Sequence, residues 1–119
     1  MKIIHIVEAS ATGTLAMLSL LASAQARQGD TVEVVYSRRD ETPDNLEDHF
    51  DSGVKLIQIQ MNSVADKIRS IGLIRKTLRS SSPDSVYMHS SFAGFLGRLA
   101  GLSLLPNTSF YTFPTVFLL

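Results

Sequence analysis

Two junctions in this chain carry residue types that could do chemistry, and the sharper is His89. It ends the short apolar run Val86 to Met88 and is followed by Ser90 and Ser91 within Asp84-Ser-Val-Tyr-Met-His89-Ser90-Ser91-Phe-Ala-Gly94-Phe-Leu-Gly97-Arg98. A neutral imidazole donates and accepts hydrogen bonds near neutral pH, which suits a hydroxyl group or a developing positive charge. A serine at the mouth of a helix accepts a backbone N–H bond as an N-cap, and the remaining free N–H groups favour anionic or polyhydroxy ligands. The second junction is Glu8-Ala-Ser-Ala-Thr12-Gly13-Thr14, which follows the apolar run Ile3 to Val7. Its small residues sit where doubly wound proteins often admit a ligand. They serve a simple tight turn equally well. The spacing is not GxGxxG, so a nicotinamide or flavin fingerprint is not supported. On residue types alone, a capping or core-edge role for His89 is the commoner outcome.

The other polar candidates are weaker. His5 lies inside an apolar run and reads as a hydrogen-bonded core residue, while His49 sits in an acidic stretch. The three histidines lack the short spacing of metal ligands and the chain has no cysteine, so neither a zinc site nor a disulfide framework is expected. Arg38 and Arg39 follow a strand and could meet phosphate or simply be solvated. Arg98 suits a salt bridge as well as a substrate contact. No Ser/His/Asp triad follows from the spacing.

The elements that must position these residues alternate regularly. Ile3 to Val7 reads as a strand buried on both faces, Thr14 to Gln28 as a helix ended by Gly29, and Thr31 to Tyr36 as a β-branched second strand. Arg38 to Asp51 contains Pro43 and the acidic residues Asp40, Glu41, Asp44, Glu47, Asp48 and Asp51, and reads as a loop with one helical turn. Val54 to Ile59 is a third strand. Ser63 with Asp66 resembles a capping box, and Val64, Ile68, Ile71, Ile74 and Leu78 recur at helical spacing, so a second helix should bury that stripe. Ser80 to Asp84 breaks it, a fourth strand leads to His89, Phe92 to Leu102 reads as a third helix, and Thr108 to Thr112 as a fifth strand. The alternation predicts an α/β fold, a Rossmann-like, doubly wound, mostly parallel sheet in a single domain.

Composition narrows the function classes. The 119 residues suffice for one domain, with 45% hydrophobic residues and eleven basic against eleven acidic side chains. That balance argues against non-specific nucleic-acid binding. Lys2 and the small residues Ala22-Ser-Ala24 faintly imitate a secretory signal, but His5, Glu8 and the Ser/Thr/Gly cluster interrupt the apolar run, and a strand followed by a helix is the better reading. No run approaches the ~20 residues needed to cross a bilayer.

Taken with Met1-Lys-Ile-Ile-His5-Ile-Val-Glu8-Ala and Gly94-Phe95-Leu96-Gly97-Arg98, the junction at His89 resembles the acceptor-side, N-terminal half of family 4 glycosyltransferases, GT-B enzymes of bacterial polysaccharide assembly. The resemblance implies a cytoplasmic protein, peripheral at the inner membrane face, that uses a nucleotide-sugar donor, often a lipid-linked acceptor, and no metal or other cofactor. It implies a catalytic or substrate-contacting role for His89, and substrate binding at Gly13, Thr14, Ser90 and Ser91. Relatives commonly carry Lys where this chain has Phe92. The family's donor-binding second lobe has no counterpart in these residues, so the chain is expected to be inactive alone, its partner being that lobe or a separate chain that supplies it.

The C-terminus departs from the family pattern. Relatives read Tyr-Thr-Pro-His-Gly-Phe where this chain reads Tyr111-Thr112-Phe113-Pro114-Thr115-Val116-Phe117-Leu118-Leu119. One permitted back-translation of Phe113 to Leu119, shifted by two bases, encodes Pro-His-Gly-Phe-Ser-Phe. The expectation is a family domain truncated near residue 112 by a change of reading phase, with an apolar tail prone to self-association. The alternatives are a stand-alone flavodoxin-like binding module and one subunit of a split transferase. A receiver domain fits poorly, because Glu8 alone does not make its acidic cluster.

Overall fold

The computed structural model describes residues 1–7, 12–38, 45–60, 63–89 and 109–112, with the backbone alone for 12–15 and 109–112. The apolar runs form β1 (Lys2–Val7), β2 (Thr31–Tyr36), β3 (Val54–Gln58), β4 (Ser85–Met88) and β5 (Ser109–Thr112). They pair in the order β3-β2-β1-β4-β5, every pair parallel. The chain therefore starts in the middle of the sheet, builds outward through β2 and β3, then returns to the other side of β1 with β4. That reversal lies between β1 and β4, where doubly wound sheets open a crevice at their carboxyl ends.

The two described helices cover opposite faces, as expected of a doubly wound sheet. α1 (Thr12–Arg27) packs Leu18 and Ala22 on Val7, Val32, Val34 and Tyr36. α2 (Val64–Ser81) packs Ile74 and Leu78 on Ile4, Ile6, Val35, Val86 and Met88. Alternate residues of β1 and β2 thus meet different helices, which is why both strands read as nearly unbroken apolar runs. The helical turn expected between β2 and β3 forms as a 3-10 turn at Leu46–His49, and with Phe50 it closes the α1 face. Its acidic residues do not prevent this, because Leu46 and Phe50 alone turn inward.

Local signals set the helix ends. α1 begins at Thr12, so Gly13 and Thr14 lie in its first turn and the expected connection from residue 9 to residue 13 is shorter. It ends in a Schellman arrangement. Gly29 adopts a left-handed backbone with φ 98°, its N–H donates to Ala26 O, and Asp30 N–H donates to Gln25 O, each at 3.1 Å. Ser63 Oγ accepts from Asp66 N–H at 3.1 Å and opens α2. The expected helix from residue 92 to residue 102 and the apolar tail lie outside the described residues.

One expectation fails on α2. Val64 and Ile68 do not join the buried stripe but are 75% and 67% exposed, while Ile74 and Leu78 are fully buried. Geometry explains this. An 18-residue helix is ~27 Å long, whereas the four residues of β4 span only ~13 Å, so the first turns of α2 run past the strands beneath. Within α2, a Cβ added at Gly72 would meet nothing within 4 Å. Gly72→Ala should therefore stabilise the fold by ~0.5–1 kcal/mol, read as a higher urea midpoint.

Candidate functional site at the β1 and β4 carboxyl ends

His89 follows β4 directly, and its backbone N–H donates to Ile6 O at 2.9 Å, continuing the β1–β4 ladder by one residue. It therefore stands opposite Val7, the last residue of β1. α1 begins five residues after Val7 in chain order, so its first turn, with Gly13 and Thr14, follows the carboxyl end of the strand next to His89. The open N–H groups of such a turn carry the positive end of the helix dipole. Ser90, Ser91, Arg39 and Arg98 lie outside the described residues.

The side chain of His89 turns back along the α1 face. Its Nε2 lies 2.8 Å from Nδ1 of His5, and Nε2 of His5 lies 2.7 Å from Oε1 of Gln25 on α1. Tyr87 stacks on the His5 ring with centroids 5.0 Å apart and planes inclined at 21°. His5 is 0% and His89 1% exposed. His5 is thus the hydrogen-bonded core residue that its place in an apolar strand suggests, and it is also the partner of His89. Strand parity could have revealed this, since His5 pairs with Tyr87 in register and His89 falls on the same face two residues later. Gln25 had no sequence signal, being one polar residue among many late in an Ala-rich helix.

Both rings are neutral at pH 7. Burial lowers the His5 imidazole to about 4, against a smaller upward effect of the hydrogen bond with Gln25. Burial, and to a smaller extent the nearby charge that His5 would carry, lowers His89 to about 3. The arrangement can therefore give or take a hydrogen bond at the sheet edge, without placing a fixed charge there.

Arg38 follows β2, where its guanidinium lies 3.6 Å from Glu47 and its backbone N–H donates to Gln60 Oε1 at 3.2 Å. Among the described residues no group of three His, Cys, Asp or Glu side chains could hold a metal ion, and no helix is long and apolar enough to cross a membrane. An open groove of about 210 Å3 lies between α2 and strands β2 and β3, lined by Glu33, Lys55, Lys76 and Ser81 among others. It shares no residue with the histidine pair. There Ser81 Oγ donates to the buried Glu33 carboxylate at 2.8 Å, which gives this groove a structural bond of its own.

No family model and no curated protein sequence matches the chain. Solved structures do resemble it in fold. The chain superposes on a lipopolysaccharide outer core galactosyltransferase, WaaB, in its apo form with a TM-score of 0.76 at 17% identity, over 96% of this chain and 33% of that one. It is similar to UDP-GlcNAc 2-epimerase from Methanocaldococcus jannaschii with a TM-score of 0.68 at 15% identity, over 94% of this chain and 31% of that one. It also resembles the C-terminal domain of a hydrogenase from Pyrococcus furiosus, with a TM-score of 0.60 at 14% identity, over 93% of this chain and 88% of that domain. The chain therefore spans about a third of the length of the two sugar-processing proteins. Its fold is a Rossmann-like, doubly wound domain of the kind from which GT-B proteins are built.

Proposed function

We propose that the chain is the acceptor-side half of a glycosyltransferase that moves a sugar from a nucleotide-sugar donor to a polysaccharide or lipid-linked acceptor. The observation that carries this reading is the position of His89, delivered to the switch point between β1 and β4 beside the strand that feeds the first turn of α1. The galactosyltransferase likeness supports it at the level of fold. In this reading the N–H groups around Gly13 and Thr14 face donor phosphates, and His89 meets a hydroxyl of the sugar or acceptor. Ser90 and Ser91 take part in binding the substrate. A second lobe, in the same polypeptide or another, supplies most of the donor site, and the work is done at the cytoplasmic face of a membrane. A second reading rests on the hydrogenase domain, most of whose length this chain spans. There a comparable fold is one domain, of about this length, within a longer protein, which suits a small binding module rather than half of a two-lobed enzyme.

Titrating the purified, isotope-labelled chain separately with UDP-GlcNAc and with flavin mononucleotide distinguishes the two. The transferase reading expects weak binding of the nucleotide sugar, with NMR shifts grouped at His89, Gly13 and Thr14, and roughly tenfold weaker binding in His89→Ala. It also expects no sugar transfer by the chain alone. Shifts with the flavin and none with the nucleotide sugar would favour the binding module.

A further inference from the structure

The two short contacts behind His89 form a directional chain. An amide oxygen only accepts, so Gln25 Oε1 at 2.7 Å requires His5 to carry its proton on Nε2. A neutral imidazole has one N–H, so His5 Nδ1 must then be an acceptor. At 2.8 Å from it, His89 Nε2 must be the donor. The remaining ring nitrogen of His89, Nδ1, holds the lone pair. Reversing the amide would reverse every bond, placing the proton of His89 on Nδ1. The orientation of one glutamine side chain therefore decides whether His89 offers an acceptor or a donor beyond the pair.

We propose that Gln25 and His5 are positioning residues that hold His89 as the neutral, Nε2-protonated tautomer, so that it meets a ligand hydroxyl as a hydrogen-bond acceptor through Nδ1. The ligand part of this inference rests on the transferase reading, while the tautomer does not. Stacking of Tyr87 on His5 fixes the middle ring between its two partners. Strand register fixes the backbone that carries the outer one, since His89 N–H is tied to Ile6. The amide of Gln25 has a torsion that can choose direction. A site arranged this way favours a sugar with a free hydroxyl over its deoxy analogue, because the latter leaves the buried acceptor without a donor.

Ring nitrogen NMR on the full chain at pH 7 tests the relay without any ligand. The expected spectrum has His5 and His89 both protonated on Nε2 and bare on Nδ1. Gln25→Leu removes the amide that sets direction and should shift the tautomer ratio of both rings roughly fivefold toward the reverse form. Gln25→Glu retains an acceptor and should restore the original pattern, an effect that simple packing would not produce. A Nδ1-protonated His89 in the unaltered chain, or tautomers unmoved by Gln25→Leu in a folded protein, would overturn the proposal. A relay found intact in a chain that binds no nucleotide sugar would leave it standing and count against the transferase reading alone.

Discussion

Taking the protein from pH 7 to pH 5 is expected to remove about 3–4 kcal/mol of folding stability, most of it through His5 and His89. Both imidazoles are lowered in the fold, to about 4 and about 3, against an ordinary value near 6.5. Between those limits the unfolded chain binds protons that the folded chain refuses. Stability therefore rises with pH across this window. It is complete above about pH 6.5 and falls as acid is added, until the folded rings themselves protonate. Near pH 5.5 each histidine is nearly fully charged in the unfolded chain and nearly neutral in the fold, giving a combined slope of roughly 2–3 kcal/mol per pH unit. Urea denaturation at pH 5, 6 and 7 measures it, and His89→Leu should roughly halve the slope. A flat profile over this range would mean that the pair is hydrated or charged in the fold.

The same pair shows where sequence reading succeeds and where it stops. The five strands, the cap at Ser63 and the left-handed glycine at Gly29 are written locally, in β-branched runs, one polar residue before a helix and one glycine after another. The sheet order follows from short connections and right-handed crossovers, which is why neighbouring parallel strands β1 and β4 end on the same carboxyl edge. The ring contact between His5 and His89 joins residues 84 positions apart, and Gln25 enters from a helix whose rotation no local pattern fixes. Such contacts depend on strand register and helix roll together. The residues visible in the sequence are thus those at chain junctions, and the ones behind them emerge only from packing.

The apolar stripe of α2 illustrates the limit from the other direction, and leads to the largest expected mutational contrast. Periodicity places Val64, Ile68, Ile71, Ile74 and Leu78 on one side of the helix, but it cannot say how far the supporting sheet extends. Leu78 and Ile74 sit in the cluster with Ile4, Ile6, Val35, Val86 and Met88, fully removed from solvent. Ser70, one turn before Ile74, is also buried and satisfies its hydroxyl by donating to Lys67 O at 2.7 Å, so burial begins near that point. Leu78→Ala should cost about 2–5 kcal/mol, combining lost transfer energy with a cavity that two rigid strands cannot close. Ile68→Ala removes as many carbon atoms from the same helix, yet should change stability by no more than ~0.5 kcal/mol, because that side chain is already in water. Urea midpoints at pH 7, with the slope of the transition unchanged, measure both. Equal losses at the two positions would mean that another surface covers the first turns of α2 in solution, making the exposed Val64 and Ile68 part of a contact rather than the end of a helix that outruns its sheet.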